Sequence, residues 1–144
     1  MTVSSRMTVA THALTWMALT CPHRPGGVVT SDRIAASVNT NPVVVRRVLG
    51  SLREAGLVVS VRGQGAGVKL GRPPGSITLR DVYEAVEPEP LIALHSSLPN
   101  QECPVGLGLP PVLQGVYGRA EDAMKEELAA ISVADVLRKT IATT

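Results

Sequence analysis

Apolar residues recur at helical spacing up to about residue 56, switch to alternation over residues 57–70, and return to helical spacing after residue 76. Arg6 to Thr20 is predicted as a helix with Val9, Ala13, Trp16, Met17 and Thr20 on one face, closed by Cys21-Pro22. A second helix follows Thr30 or Ser31 as cap. Asp32 suits its positive end, and Ile34, Ala35 and Val38 share a face. Asn39 tolerates the left-handed backbone that ends a helix. Asn41-Pro42 starts another, with Asn41 as cap and Pro42 where no N–H bond is lost. Its core stripe is Val45, Val48, Leu49 and Leu52, and Gly56 stops it.

Alternation then places Leu57, Val59 and Val61 on one face of a strand and Val58, Ser60 and Arg62 on the other. Gly63 to Gly67 turns the chain, and Val68-Lys69-Leu70 returns as a second strand. Ser76 to Val86 reads as a helix through Ile77, Leu79, Val82 and Val86. A long amphipathic helix is expected from Pro111 to about Ala130, through Val116, Ala120, Met124 and Leu128. Ser132 and Asp135 then form the reciprocal cap of a last short helix. The fold class is mainly α with a small β-hairpin: a winged helix-turn-helix followed by a long C-terminal helix. Residues 1–87 form the head, 88–110 a connecting loop, and 111–144 the C-terminal helices.

On the helix from Pro42, the side opposite the core stripe holds Val43, Arg47 and Gly50, with Arg46 and Arg53 on its flank. Arginine can bind guanine O6 and N7 together, and valine can touch a thymine methyl, so this face suits a DNA major groove. Arg62 and Lys69 bracket the hairpin tip, where a wing reaches a minor groove or its phosphates. The glycines Gly63, Gly65 and Gly67 do not make a phosphate loop, because a strand follows them instead of a helix.

The run VVVRRVLGSLREAGLVVSVRGQGAGVKL, followed by ITLRDVYEAVE, resembles the Rrf-two family of bacterial winged-helix regulators, of the IscR, NsrR and CymR type. The resemblance extends over nearly the whole chain. It implies a homodimeric transcription factor that reads a palindrome in double-stranded DNA. The implied contacts fall on Thr40, Asn41, Val43 and Arg46 and on Arg62-Gly63. It also favours a dimer role for the long C-terminal helix, which by itself could equally pack on its own domain.

Charge sharpens this picture. Residues 1–72 carry nine Lys/Arg against Asp32 and Glu54, whereas residues 73–144 carry five against ten acids. A net +7 half joined to a net −5 half suits DNA on one side and a different task on the other. With two Tyr, one Trp and no Phe, little aromatic surface exists to stack single-stranded bases. No apolar run suggests a membrane span or signal peptide, so the expected setting is cytoplasmic, with reduced thiols.

Sensing chemistry has few candidates. Many members of the resembled family hold an iron–sulfur cluster through three cysteines before the long helix. This chain has Cys103 there, and its other cysteine, Cys21, ends the first helix. Cys103 with His95 and Glu102 is a poor ligand set, so neither a cluster nor another metal or cofactor is expected. Two ideas remain: a thiol switch at Cys21 or Cys103, or a small-molecule effector bound by the loop from Pro88 to Pro111. No nucleophile–base motif supports an enzyme. The alternative function is a winged helix that docks on a metabolic enzyme.

Overall fold

The computed structural model describes residues 4–142. Its elements are α1 (Arg6–Thr20), α2 (Ser31–Val38), α3 (Pro42–Glu54), β1 (Val58–Val61), β2 (Gly67–Leu70), α4 (Leu79–Val86), α5 (Pro104–Ala129) and α6 (Val133–Ala142). Short 3-10 turns at Cys21–His23, Pro25–Gly27 and Pro74–Ser76 join them.

Helix α1 is the axis of the core. It packs against α2, α3, α4 and α6, and Ala10, Ala13, Leu14 and Met17 are fully buried. The buried face is broader than the expected one: Leu14, Ala10 and Ala18 are inside, while Trp16 is only half-buried. Neighbours on several sides of α1 explain this, since a helix enclosed in that way needs apolar residues around most of its circumference.

The helix-turn-helix forms as its sequence dictates. The Thr30 hydroxyl accepts from the Arg33 N–H at 3.3 Å. Asn39 adopts φ 60° and ψ 50° and donates its N–H to Ala35. Asn41 Oδ1 then accepts from the Val43 N–H at 2.9 Å, with Pro42 in the first turn of α3. Val45, Val48, Leu49 and Leu52 point inward.

The hairpin forms, but Leu57 does not share the face of Val59 as expected. Antiparallel pairing sets Val58 against Leu70, Val59 against Lys69 and Ser60 against Val68. Val58 and Val68 are buried and Val59 is exposed. The Leu57 N–H still bonds to Leu52 O at 2.9 Å, closing the end of α3, so Leu57 precedes the pleat and both Leu57 and Val58 face the core. Val29 adds a short third edge, exchanging bonds of 2.9 and 2.8 Å with Val68. Gly67 is required there, because a Cβ would collide with the Val29 carbonyl.

Helix α4 starts at Leu79 and not at Ser76. Thr78 and Asp81 form a capping box at 3.1 and 2.9 Å, and Ile77 is buried just before it. The same device recurs at Ser132 and Asp135, as expected, with bonds of 3.0 and 2.9 Å. The Ser132 N–H, aided by Arg138, holds the Asp135 carboxyl down at about 2. Backbone bonds Leu79 N to Ile131 O and Val133 N to Ile77 O, both 2.9 Å, tie the two capped starts together.

Helix α5 begins at Pro104, well before the expected Pro111, so its first turns come from the expected loop. Pro110 and Pro111 lie inside it and withhold the N–H groups that the Gly106 and Leu107 carbonyls would receive. No residue of α5 is buried, so those carbonyls are not forced into a dry interior. Its C-terminal half leans on α4: Tyr83 donates to Glu121 at 3.4 Å, and Lys125 lies 3.8 Å from Glu84. In its N-terminal half Val105, Leu107 and Val112 are about 60% exposed (64, 59 and 62%). No helix among the described residues is long and apolar enough to cross a membrane.

Leu14→Ala removes a fully buried side chain from the axis of the core and is expected to cost about 3 kcal/mol. Urea denaturation measures it; a loss below about 1 kcal/mol would mean that α1 does not organise the core.

Candidate nucleic-acid interface

One surface of the molecule is built by the turn before α3, the exposed side of α3 and the wing. Thr40 is half-buried in the turn, its N–H donating to Ala35 O at 3.4 Å, and Asn41 is committed to the cap. Val43, Val44, Arg46 and Arg47 are exposed on the first turns of α3. Arg46, seven residues before Arg53, shares the side of α3 from which Arg53 reaches Ser60 of the wing. Arg47 lies on the opposite side, bordering a cleft of about 670 Å³ that Ser51, Ala85, Val86 and Pro88 also line. The two adjacent arginines therefore straddle the exposed face.

The wing tip is residues 62–66, all exposed. Gly63 and Gly65 have φ of 87° and 75°, a backbone region that favours glycine, so these two residues make the tight reversal possible. Arg62 stands where β1 ends. Lys69 is set back along β2, on the outer face opposite Val59, so it flanks the wing and not its tip.

Most of the cations without a carboxylate partner lie in the first 72 residues, Arg119 and Lys139 being the exceptions among the described residues. Arg6, Arg72, Arg80, Lys125 and Arg138 all have carboxylate partners within 4 Å. Arg46, Arg47, Arg62 and Lys69 have none among the described residues. Unneutralised guanidinium and ammonium groups on a convex helix-and-hairpin surface are what a polyanion requires.

The two cysteines do not come together. Cys21 is buried under β2, and burial pushes its thiol up despite a bond from the Leu70 N–H. Cys103 is half-exposed at the N-cap of α5, where the N–H groups of Gly106 and Val105 bring its thiol below the ordinary value. His95 and Glu102 are exposed in the loop before it. No three His, Cys, Asp or Glu side chains among the described residues are grouped to hold a metal ion.

Two features had no local signal in the sequence. A groove of about 690 Å³ lies between α1 and α6, walled by Trp16, Leu19 and Leu137, with His12 Nε2 2.9 Å from Ser37 Oγ at its side. Arg53 reaches across to the wing and donates to Ser60 Oγ at 2.9 Å.

Comparison with known proteins agrees with this geometry. The family described as "Rrf2: Iron-dependent Transcriptional regulator" matches residues 3–139. The chain is 38% identical over 136 residues to the HTH-type transcriptional regulator YwnA of Bacillus subtilis, covering 94% of this chain and 96% of that protein. A solved structure described as a DNA-binding protein is 35% identical, with a TM-score of 0.73, and the match covers 92% of this chain and 99% of that one. The global cysteine regulator CymR of Bacillus subtilis aligns with a TM-score of 0.64 at 25% identity, covering 96% and 98% of the two chains. The family description names iron, but the donors of this chain do not fit it: Cys103 stands without a second thiolate, and Cys21 is buried beneath the wing.

The different settings of the two thiols are open to a direct check. Iodoacetamide should modify Cys103 in the native protein, with a rate that reaches half its maximum at a pH below that of a free thiol. Cys21 should react only on unfolding. Equal native rates would contradict the two environments. The wing, the capped helix pair and the matches across the chain together place this protein in the Rrf2 family of winged-helix transcriptional regulators, and not among enzymes.

Proposed function

We propose that the protein is a cytoplasmic, homodimeric repressor that binds a palindromic operator. The cluster of unpaired cations at Arg46, Arg47, Arg62 and Lys69 carries this reading. The start of α3 enters the major groove: Arg46 reads a base edge, Val43 touches a thymine methyl, and Thr40 and Asn41 approach the flanking backbone. Arg62-Gly63 reaches the adjacent minor groove, and Lys69 and Arg47 bind phosphates on either side.

The dimer reading rests on two unsatisfied apolar surfaces in one chain. The N-terminal half of α5 exposes Val105, Leu107, Val112 and Val116, and the preceding loop exposes Leu91, Ile92 and Leu98. The α1/α6 groove is apolar and open. A two-fold axis that seats each α5 against the other copy covers both surfaces twice. In this arrangement residues 1–87 read DNA, α5 and α6 join the copies, and the segment between carries the switch.

Cys103 is the proposed switch, because its thiol is half-exposed at the start of α5, where helix N–H groups favour its thiolate, whereas Cys21 is buried. Oxidation by a peroxide or disulfide adds bulk or charge at the first turn of α5 and re-sets the two heads relative to each other. A small-molecule effector acting on the same segment is the second way of moving α5.

Four expected outcomes test this. Fluorescence anisotropy with a duplex from upstream of the protein's own coding sequence should give specific binding that weakens steeply with salt. Arg46→Ala should lower affinity for that duplex about 10- to 100-fold and relax specificity at one base. Lys69→Ala should weaken all duplexes alike and reduce the salt slope by about one. Val112→Glu should convert a dimer into monomers by light scattering and abolish tight operator binding. A wild-type protein that binds no duplex specifically would favour the docking-module function, and a monomeric wild type would remove the palindrome.

A further inference from the structure

Arg53 is outside the set of DNA contacts above, yet it is the side chain that joins the two DNA-facing elements. It stands in the last turn of α3. Its Nη2 lies 3.8 Å from the place a Cβ would occupy on Gly50, so the guanidinium folds back along the helix past Gly50. Its Nη1 donates to Ser60 Oγ at 2.9 Å. Ser60 is on β1, opposite Val68, and Val68 is bonded in both directions to Val29. The wing is thus held on one side by backbone bonds to the segment before α2. Toward α3 its base is fixed by the Leu57–Leu52 backbone bond and the burial of Leu57 and Val58, and Ser60, farther out, adds the side-chain bond to Arg53. Arg53 has no carboxylate partner among the described residues, so nothing competes with Ser60 for it.

We propose that Arg53 is a positioning residue: through Ser60 it fixes the angle of the wing against α3, so that Arg62 and Arg46 meet one duplex in register. The inference rests on the DNA-binding reading. A two-stranded ribbon bends and twists readily about its base. A guanidinium bond farther out restrains that motion before DNA arrives, which lowers the cost of ordering the wing on binding. The fork geometry of arginine suits a bond that must hold direction as well as distance.

The test is a double-mutant cycle on operator affinity with Ser60→Ala and Arg62→Ala. Ser60→Ala removes the acceptor and leaves every cation in place. It should weaken specific binding about three- to tenfold, the range for loss of one hydrogen bond, without changing the salt slope. In the Arg62→Ala background the same change should have less than about a twofold effect, because the wing no longer has a contact to position. Ser60→Thr keeps the hydroxyl and should restore affinity. Thermal denaturation of each variant separates a lost fold from a lost restraint. Three results would overturn the proposal: wild-type affinity in Ser60→Ala, an equal loss in both backgrounds, or a loss in Arg53→Ala that Ser60→Ala does not share, which would make Arg53 a plain phosphate contact. Failure of the wild type to bind its operator would instead remove the DNA reading itself.

Discussion

The burial of α1 is the constraint on which the rest of the structure depends. Ala10 and Ala13 carry almost no side chain, so α3, α4 and α6 can approach one helix closely while Leu14 and Met17 fill the space between them. Close packing of this kind transmits displacement instead of absorbing it. The placement of α3 and of α5 is referred to the same helix, α3 directly and α5 through α4. A displacement of the C-terminal half of α5, where Glu121 and Lys125 meet α4, is therefore passed through α4 to the same core.

The second organising feature is where charge is left unmatched. Exposed ion pairs such as Arg80 with Glu84 or Arg138 with Asp135 add little stability. Pairing does not cancel the acidic excess of residues 73–144, which stays at net −5, while the cations of α3 and the wing stand without carboxylates in the basic half. The modest overall charge of +2 conceals that division. Arg53 belongs to the same unpaired group, but its bond to Ser60 gives it a mechanical task as well.

Elements with local chemical punctuation were legible in the sequence. Thr30, Asn39, Asn41-Pro42 and Ser132 with Asp135 each mark a helix end through bonds within a few residues, and all formed as read. The setting of Leu57 was not legible. Alternation cannot reveal that Leu57 is still tied to the end of α3 and so precedes the pleat of β1. The start of α5 was obscured by Pro104, Gly106, Gly108, Pro110 and Pro111, which together read as loop. Gly106 is there for close approach of the Asn100 carbonyl, which no local pattern encodes. At the candidate interface, Arg46, Arg47 and Arg62 were found from helix phase and turn chemistry. The Val29 edge, the Arg53–Ser60 bond and the α1/α6 groove join residues distant in the chain or its pattern, and only the fold brings them together.

The central claim is that the unpaired surface of α3 and the wing is where DNA sits. Hydrogen–deuterium exchange of the protein, with and without a duplex from upstream of its own coding sequence, addresses it most directly. The account predicts new protection confined to residues 39–50 and 58–70, with α5 and α6 exchanging as before. Protection that falls on α5 or on the α1/α6 groove, with α3 and the wing unchanged, would contradict it.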